Sequence, residues 1–206
     1  MSNYDPKFVA FIDILGFSDL VKRSERDDKL FIKIANITIN IDEKAKQHRA
    51  GSRNEKIFGD LSQFDVVNFS DSLIMSDAPD ATGFWKLVLF INTVFFELAQ
   101  YGTLCRGAIS FGSFYQKGTV AFGPAFLEAY HLESKIAKFP RVLVSRSALS
   151  KAQEFAADET WAAEYLKKWI VRDSDGAAYI DQFGDCVEIF SSGDIDMIEI
   201  FLRSSL

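Results

Sequence analysis

The sequence has little cysteine, no long uncharged apolar run and no surplus of basic residues. Its two cysteines, Cys105 and Cys186, each lie within apolar, strand-like sequence and have no partner at close spacing. This spacing argues against a metal knuckle or a redox pair. We therefore expect both side chains to be buried free thiols.

No segment reaches the roughly 18 uncharged apolar residues that a membrane-spanning helix needs. The first residues, MSNYDPK, also lack the basic-then-apolar order of a signal peptide. The sequence therefore predicts a cytoplasmic protein without a membrane partner.

The charge balance is acidic, with a formal net charge of -6 and an isoelectric point near 5.0. Broad nucleic-acid binding depends on a basic face that neutralises phosphates, so we expect no nucleic-acid partner. A small phosphorylated ligand is still compatible with this balance, because a metal ion or a few basic side chains can compensate its charge locally.

Apolar residues make up 48% of the 206 residues, enough for a substantial core. Their pattern predicts one α+β domain over residues 1–206, with elements in the order β-α-α-β-β-α-β-β-α-β and then α, β, α. A central hairpin and helices that pack on the sheet indicate a ferredoxin-like sandwich with a mostly antiparallel sheet.

Two predicted strands each bring an aspartate to a strand end. Residues 7–14 (KFVAFIDI) are apolar except for Asp13, in the manner of a strand buried on both faces. Two short β-prone runs at 64–69 and 72–75 predict a tight hairpin with Asp71 at its tip.

Apolar spacing and glycine-rich breaks predict the remaining elements. Helices are expected over residues 17–49 (a short one and a longer one), 79–101, 125–138 and 158–168, and from about residue 194. Further strands are expected over 104–114, 142–144 and 179–182, and a loop over 50–60.

Asp13 and Asp71 can share metal if their strands are neighbours. Magnesium and manganese prefer carboxylate oxygens and take their remaining ligands from water and substrate phosphates. Two such ions about 4 Å apart can serve the attacking and leaving oxygens of an in-line displacement. Gly16 and the backbone amides after it, at the start of a helix, can bind the phosphates of a triphosphate. A single aspartate at a strand end is more often a cap or turn residue, so the pair carries the prediction.

Four segments also carry a family resemblance: residues 11–17 (FIDILGF), 66–75 (VVNFSDSLIM), 106–112 (RGAISFG) and 123–133 (GPAFLEAYHLE). In that order they resemble the first metal motif, the second-metal hairpin, the following strand, and the dimerisation-arm and helix region of class III nucleotidyl cyclases. Ser70-Asp71 stands where the family has Gly-Asp. The resemblance covers residues 8–144 and fades beyond about residue 145, so we expect a catalytic core at 7–145 and a variable extension at 146–206.

Several positions depart from the adenylate-forming members of that family. Their base-reading lysine and aspartate fall at Val67 and Val120, so purine recognition in their manner is not expected. Their transition-state asparagine and arginine fall at Leu127 and His131. The altered set is similar to the bacterial pyrimidine cyclases of the Pycsar antiphage systems, and this implies UTP or CTP as substrate, with UTP only slightly favoured.

The resemblance implies a reaction in which the ribose 3′-hydroxyl attacks the α-phosphorus of UTP or CTP, giving a 3′,5′-cyclic nucleotide and pyrophosphate. It implies two divalent cations, Mn²⁺ or Mg²⁺, bridged by the side chains of Asp13 and Asp71 and bound by the Ile14 carbonyl. Substrate contacts are expected from Ile14, Leu15, Gly16, Phe17, Phe69 and Arg106. For Arg106, contact with a base or phosphate and pairing with a surface carboxylate are equally compatible with the sequence.

The resemblance further implies a homodimer with shared active sites, and a downstream effector that responds to cyclic nucleotide and arrests or kills the infected cell. Two rival interpretations stay open. One is a catalytically silent relative that binds nucleotide, since the residues at 127 and 131 have changed. The other is a structural domain whose aspartates have no role in binding.

Overall fold

The chain was analysed as a computed structural model, which describes residues 3–49 and 63–182. Its strands are β1 (Asp5–Ile14), β2 (Asp65–Phe69), β3 (Ser72–Asp77), β4 (Cys105–Lys117), β5 (Val120–Phe122), β6 (Val142–Val144), β7 (Ile170–Arg172) and β8 (Ala178–Ile180). Its helices are α1 (Phe17–Ser24), α2 (Asp28–Arg49), α3 (Ala81–Gln100), α4 (Pro124–Lys135), α5 (Arg146–Ala156) and α6 (Thr160–Trp169). The predicted α+β class is confirmed.

The strands form one mostly antiparallel sheet in the order β2-β3-β1-β4-β6-β8-β7, with β5 paired to β4. β1 lies between β3 and β4 and is antiparallel to both, while β4 and β6 are parallel. Gly107 of β4 lies opposite Ile12 of β1, where a Cβ atom would collide with the Phe11 carbonyl and the Ile12 side chain. The close backbone approach expected of a glycine in this strand is therefore present.

Successive side chains of β1 point to opposite faces of the sheet, so this strand contributes to a core on each face. Phe8, Ala10 and Ile12 join the main core cluster, which also contains the apolar residues of α3. Val9 packs on the opposite face with Phe114 of β4 and Ala125 of α4. Since both faces of β1 are covered, its nearly continuous apolar sequence is explained.

Helix α3 is the centre of the main core. Asp80 caps its start by accepting a hydrogen bond from the Gly83 N–H at 2.6 Å, an arrangement that stabilises a helix by roughly 1 kcal/mol. By length and composition alone this helix could cross a membrane, with a mean hydropathy of 1.3, although Lys86 and Glu97 interrupt it. However, 78% of that window is buried inside the protein, so its apolar composition follows from its place in the core.

The part after residue 145 continues the same sheet and contains a helix that the apolar pattern did not predict. Ser145 caps α5 through the Ala148 N–H, and the buried side chains of α5 are Ala148, Ala152 and Ala156. The predicted helices were identified from large apolar residues at helical spacing, whereas the buried side chains of this helix are alanines, so it was missed. The three-residue strand β7 was missed as well. The predicted loop at 50–60, the helix from about residue 194 and Cys186 lie outside the described residues, whereas Cys105 is a buried free cysteine as expected.

Candidate active site

Asp13 lies near the end of β1, at a point where three strands are in register. It is opposite Ser72 of β3 on one side and Arg106 of β4 on the other. Asp71 occupies the two-residue turn between β2 and β3, next to Ser70, whose φ is 58°. Phe69 and Ser72 close that turn as a strand pair, so the hairpin predicted around Asp71 is confirmed.

Backbone hydrogen bonds tie the hairpin turn to the end of β1. The Ile14 N–H donates to the Asp71 carbonyl at 2.8 Å, and the Leu15 N–H donates to the Leu104 carbonyl at 2.9 Å. The residue after Asp13 therefore contacts Asp71 directly. Two aspartates that are 58 positions apart in the sequence meet where the end of β1 adjoins the β2–β3 turn.

The carboxyl group of Asp13 is partly withdrawn from water, with 23% of the side chain exposed. Burial raises the pKa of Asp13 above its ordinary value, the charge of Arg106 opposes that increase, and the charge of Asp71 adds to it. The proximity of a second carboxylate and partial burial both favour a bound cation, because a cation relieves the repulsion and the lost hydration.

Arg106 provides the positive charge of the site, and it is shared between two carboxylates. Its Nε atom lies 3.4 Å from Asp13 Oδ2 and 2.7 Å from Glu133 Oε1. Glu133 extends from α4 and its side chain is only 4% exposed. Burial raises the pKa of Glu133, Arg106 opposes that increase, and Asp13 and then Asp71 add to it. When all four groups are ionised, three carboxylates face one guanidinium and the cluster has a net negative charge.

Glu133 is the site residue that sequence reasoning missed. The buried residues of α4 are Ala125, Ala129 and Glu133, at regular four-residue spacing. A carboxylate that continues a stripe of small buried residues on one helix face is the signal that could have identified it, because buried carboxylates are usually paired.

Gly16 places the start of α1 beside the two aspartates. Its φ of 74° is left-handed, and no atom of the described residues lies within 4 Å of the position that a Cβ would take. The backbone at residues 15–17 is therefore approachable from this side. The side chains of Ile14 and Phe17 are buried in the main core, so only their backbone groups can face a ligand, whereas Phe69 is 78% exposed.

The residues present fit a magnesium or manganese site that a substrate completes. Among the described residues, no group of three or more His, Cys, Asp and Glu side chains forms a ready ion cage. Magnesium typically uses one or two carboxylates and takes its other ligands from phosphate and water. Asp13 and Asp71 provide that number of carboxylates.

Arg141, the basic residue just before β6, is engaged away from the two aspartates. Its guanidinium pairs with both Asp173 and Asp175 and lies 6.0 Å from the centre of the Tyr179 ring. These interactions hold the loop between β7 and β8 against the end of β6. Arg141 therefore has a structural role in this chain.

Solved structures with the same architecture are nucleotide cyclases and a cyclase-like protein. The monomeric guanylyl cyclase domain of the RhoGC fusion protein from the aquatic fungus Blastocladiella emersonii is 15% identical, with a TM-score of 0.55 over 85% of this chain and 94% of that one. A rhodopsin-guanylyl cyclase core with converted specificity, in complex with ATPαS, is 14% identical, with a TM-score of 0.53 over 86% and 92% of the two chains. The chain has the fold of a class III nucleotidyl cyclase.

A third structure with the class III cyclase fold is a class III adenylyl cyclase-like ATP-binding protein from Pseudomonas aeruginosa. It is 12% identical, with a TM-score of 0.51 over 79% of this chain and 40% of that one. No protein-family model matches the sequence, and no curated protein matches it either. At these identities the likeness establishes the cyclase fold, and the activity has to be argued from the site.

Proposed function

We propose that this chain is a nucleotidyl cyclase whose active site forms where Asp13 and Asp71 meet. The observation that carries the proposal is the 2.8 Å hydrogen bond from the Ile14 N–H to the Asp71 carbonyl, because it joins the strand end that bears one aspartate to the turn that bears the other. Two carboxylates brought together at the end of a strand are suitable ligands for Mg²⁺ or Mn²⁺.

In the proposed reaction the ribose 3′-oxygen bonds to the α-phosphorus of a nucleoside triphosphate. The bond from that phosphorus to pyrophosphate breaks, so the products are a 3′,5′-cyclic nucleotide, pyrophosphate and a proton. Two divalent cations, when bound, would supply a lowered hydroxyl pKa and neutralise the leaving charge. Asp13 and Asp71 would hold them by side chain and Ile14 by its carbonyl.

The remaining groups at this edge would position the substrate. Backbone amides of Gly16 and Phe17 would bind phosphate oxygens at the start of α1. The predicted contact at Leu15 would come from its half-buried side chain, because the Leu15 N–H already donates to the Leu104 carbonyl. Once a cation binds the Asp13 carboxylate, Arg106 would be free to contact a phosphate, because the Arg106 guanidinium already lies beside that carboxylate. The exposed ring of Phe69 would stack on the base or on a second subunit.

The proposed enzyme is a homodimer with shared sites, and residues 1–206 form its single catalytic domain. Exposed apolar side chains on the hairpin, on β5 and on α4 support an interface on this side of the sheet: Phe69, Val120, Phe122, Leu127 and Tyr130. β8 and β7 extend the same sheet beyond the catalytic core, which supports one domain.

We propose a pyrimidine substrate, UTP in preference to CTP, with cyclic UMP as a second messenger in antiphage defence and an effector that responds to it. The support is the resemblance to the pyrimidine cyclases, together with Val67 and Val120. These apolar side chains provide neither the lysine nor the aspartate with which adenylate-forming members read a purine.

A product assay tests this function. Purified protein is incubated with Mn²⁺ and each of the four ribonucleoside triphosphates, and the products are separated by chromatography. We expect cyclic UMP or cyclic CMP, and a loss of at least about 100-fold in rate for Asp13→Asn and Asp71→Asn. Asp158→Asn, an exposed aspartate far along the chain, is the matched control and should retain full activity. Cyclic AMP as the main product would overturn the pyrimidine assignment.

A silent nucleotide-binding homologue is the second candidate. It is favoured by Leu127 and His131, which lie exposed on α4 where the family has its transition-state residues. In that case no triphosphate gives a cyclic product, yet metal-dependent nucleotide binding persists and is lost in Asp13→Asn.

A further inference from the structure

A cavity of about 290 Å³ lies where the end of α4, the end of β6, the start of α5 and the β7–β8 turn meet. This volume is at the lower end of the range for small-ligand pockets. The described residues that line it include neither of the two site aspartates nor Arg106. Leu132 near the end of α4 and Ile136 directly after that helix do line it, whereas Glu133 turns to Arg106. The cavity is therefore separate from the proposed active site.

The charge on the cavity wall is positive. Arg146 at the start of α5 and Arg172 of β7 line it, and no aspartate or glutamate is among its described lining residues. Arg172 donates one hydrogen bond, to the Gly176 carbonyl at 3.0 Å, and Arg146 makes no ion pair or side-chain hydrogen bond with a described residue. Both arginines are exposed. Since a guanidinium has five N–H donors, most of theirs are open to a ligand.

The acidic side chains of the neighbouring segments are engaged with other partners. Asp173 and Asp175, in the β7–β8 turn, both pair with the Arg141 guanidinium, which does not line the cavity. Glu128 of α4 accepts a hydrogen bond from the Ser147 hydroxyl at 2.8 Å. Within the described parts of the chain, the positive charge of the two cavity arginines is therefore uncompensated. This balance favours an anionic ligand.

The remaining wall of the cavity is largely apolar. Leu132, Ile136 and Leu149 contribute aliphatic side chains from the two helical segments. Leu132 and Leu149 are half-buried and Ile136 is 42% exposed. An inorganic anion would leave this surface in contact with water, whereas an anion that carries an apolar group would bury it, which is favourable.

The cavity is compatible with the proposed homodimer. Leu127 and Tyr130 are the exposed α4 residues assigned to the interface. Leu132 follows Leu127 by five residues, which corresponds to a rotation of about 140° around a helix. The cavity and the interface therefore lie on different sides of α4.

We propose that this cavity binds a small organic anion, with its carboxylate or phosphate group at the two arginines and its apolar part against the three aliphatic side chains. The planar fork of an arginine suits either head group. Arg146 is also the first residue of α5, so the positive end of that helix adds to the attraction. Neither metal nor nucleotide takes part, so this site is independent of the proposed function.

An NMR titration without metal or nucleotide tests the ligand class. Hexanoate and butyl phosphate combine a charged head group with an apolar chain, whereas hexanol and inorganic phosphate each have only one of these parts. We expect a combined probe to bind more tightly than hexanol and inorganic phosphate. Whichever of hexanoate and butyl phosphate binds more tightly identifies the preferred head group.

Arginine variants test the location of the site. We expect the dissociation constant of the better combined probe to rise about tenfold in Arg146→Gln and in Arg172→Gln, the size of one charge-assisted hydrogen bond. Arg26→Gln, at an exposed arginine before α2, is the matched control and should bind like wild type. Arg146→Gln removes no side-chain hydrogen bond to a described residue, so its effect reports ligand binding. Thermal melting verifies that each variant is folded.

Three results would overturn this site. One is the absence of binding by both hexanoate and butyl phosphate. Another is hexanol or inorganic phosphate binding as tightly as the better combined probe, because the cavity would then not require both parts of the ligand. The third is wild-type affinity in both folded Arg146→Gln and folded Arg172→Gln.

Discussion

Two aspartates of the same sheet each face a basic side chain, but the two ion pairs differ in how much solvent reaches them. The buried pair is structural, whereas the exposed aspartate can exchange its basic partner for a ligand. Asp77, the last residue of β3, lies 3.2 Å from Lys86 of α3, and the two side chains are 0% and 2% exposed. Asp13, near the end of β1, lies 3.4 Å from Arg106, and those side chains are 23% and 30% exposed. Asp77 is enclosed in the main core. Asp13 reaches solvent beside a second aspartate.

The comparison shows that a raised carboxyl pKa does not by itself identify a functional residue. Burial is the largest cause of the increase at both positions. A neighbouring carboxylate adds to the increase at both positions, Asp71 at Asp13 and Asp80 at Asp77. Asp13 differs because it is partly exposed to solvent and lies beside the open backbone segment at Gly16. It is the combination of a second carboxylate with access from solvent that makes a cation site.

The largest effect on stability is expected from breaking the enclosed pair. Lys86→Met leaves the Asp77 carboxylate without its ammonium partner in the core, so unfolding at pH 8 should require about 3–5 kcal/mol less. Urea unfolding followed by circular dichroism measures this. At pH 5 the loss should shrink, because Asp77 can then protonate. An equal loss at both pH values would show that the ion pair is not its cause.

The same aspartate predicts how stability depends on pH. Burial raises the pKa of Asp77 from 3.8 to about 6. A carboxyl group with a raised folded-state pKa stabilises the protein fully below about pH 4, and this contribution is lost as the pH rises through about 6. The total is about 2–3 kcal/mol, at 1.36 kcal/mol per unit. Unfolding free energies of wild type and Asp77→Asn from pH 4 to 8 test it, and parallel curves would contradict it.

At the solvent-accessible site around Asp13, a substitution is expected to change metal affinity and not stability. Glu133 draws Arg106 toward α4, and in Glu133→Gln the guanidinium is left to pair with Asp13 and compete with a cation. We expect the Mn²⁺ affinity in the absence of nucleotide, where Arg106 has no phosphate to contact, to fall about tenfold, in the range for residues that orient metal ligands. Adding Arg106→Gln should restore metal affinity, since the competing charge is removed. Isothermal titration measures both, and a further loss in the double variant would contradict this competition.

The smallest effect concerns the turn that carries Asp71. Ser70 has a left-handed φ of 58°, a conformation that costs a non-glycine residue about 1 kcal/mol. Ser70→Gly should therefore raise stability by up to about 1 kcal/mol without weakening metal binding. Thermal unfolding tests the first expectation. A decrease in stability would indicate that the serine side chain has a role that offsets the strain.

The sequence was most informative where local pattern and chemistry coincide. The apolar run before Asp13 and the two β-prone runs around Asp71 predicted both strand ends correctly. The adjacency of β1 to β3 and β4 depends on long-range register, which local patterns do not contain. The pairing of Arg106 with Glu133 was not predicted because it depends on how α4 is placed on the sheet. The helix α5 was missed because its buried side chains are alanines, and the predicted helices were identified from larger apolar residues.

The central claim is that Asp13 and Asp71 together hold divalent cations with a nucleotide. Its most direct test is Mn²⁺ binding, measured by electron paramagnetic resonance with a non-cyclisable UTP analogue, for wild type, Asp13→Asn, Asp71→Asn and the control Asp158→Asn. The account predicts tight binding by wild type and Asp158→Asn, and a loss of at least about tenfold in each of the other two. Wild-type affinity in both folded Asp13→Asn and Asp71→Asn would contradict it.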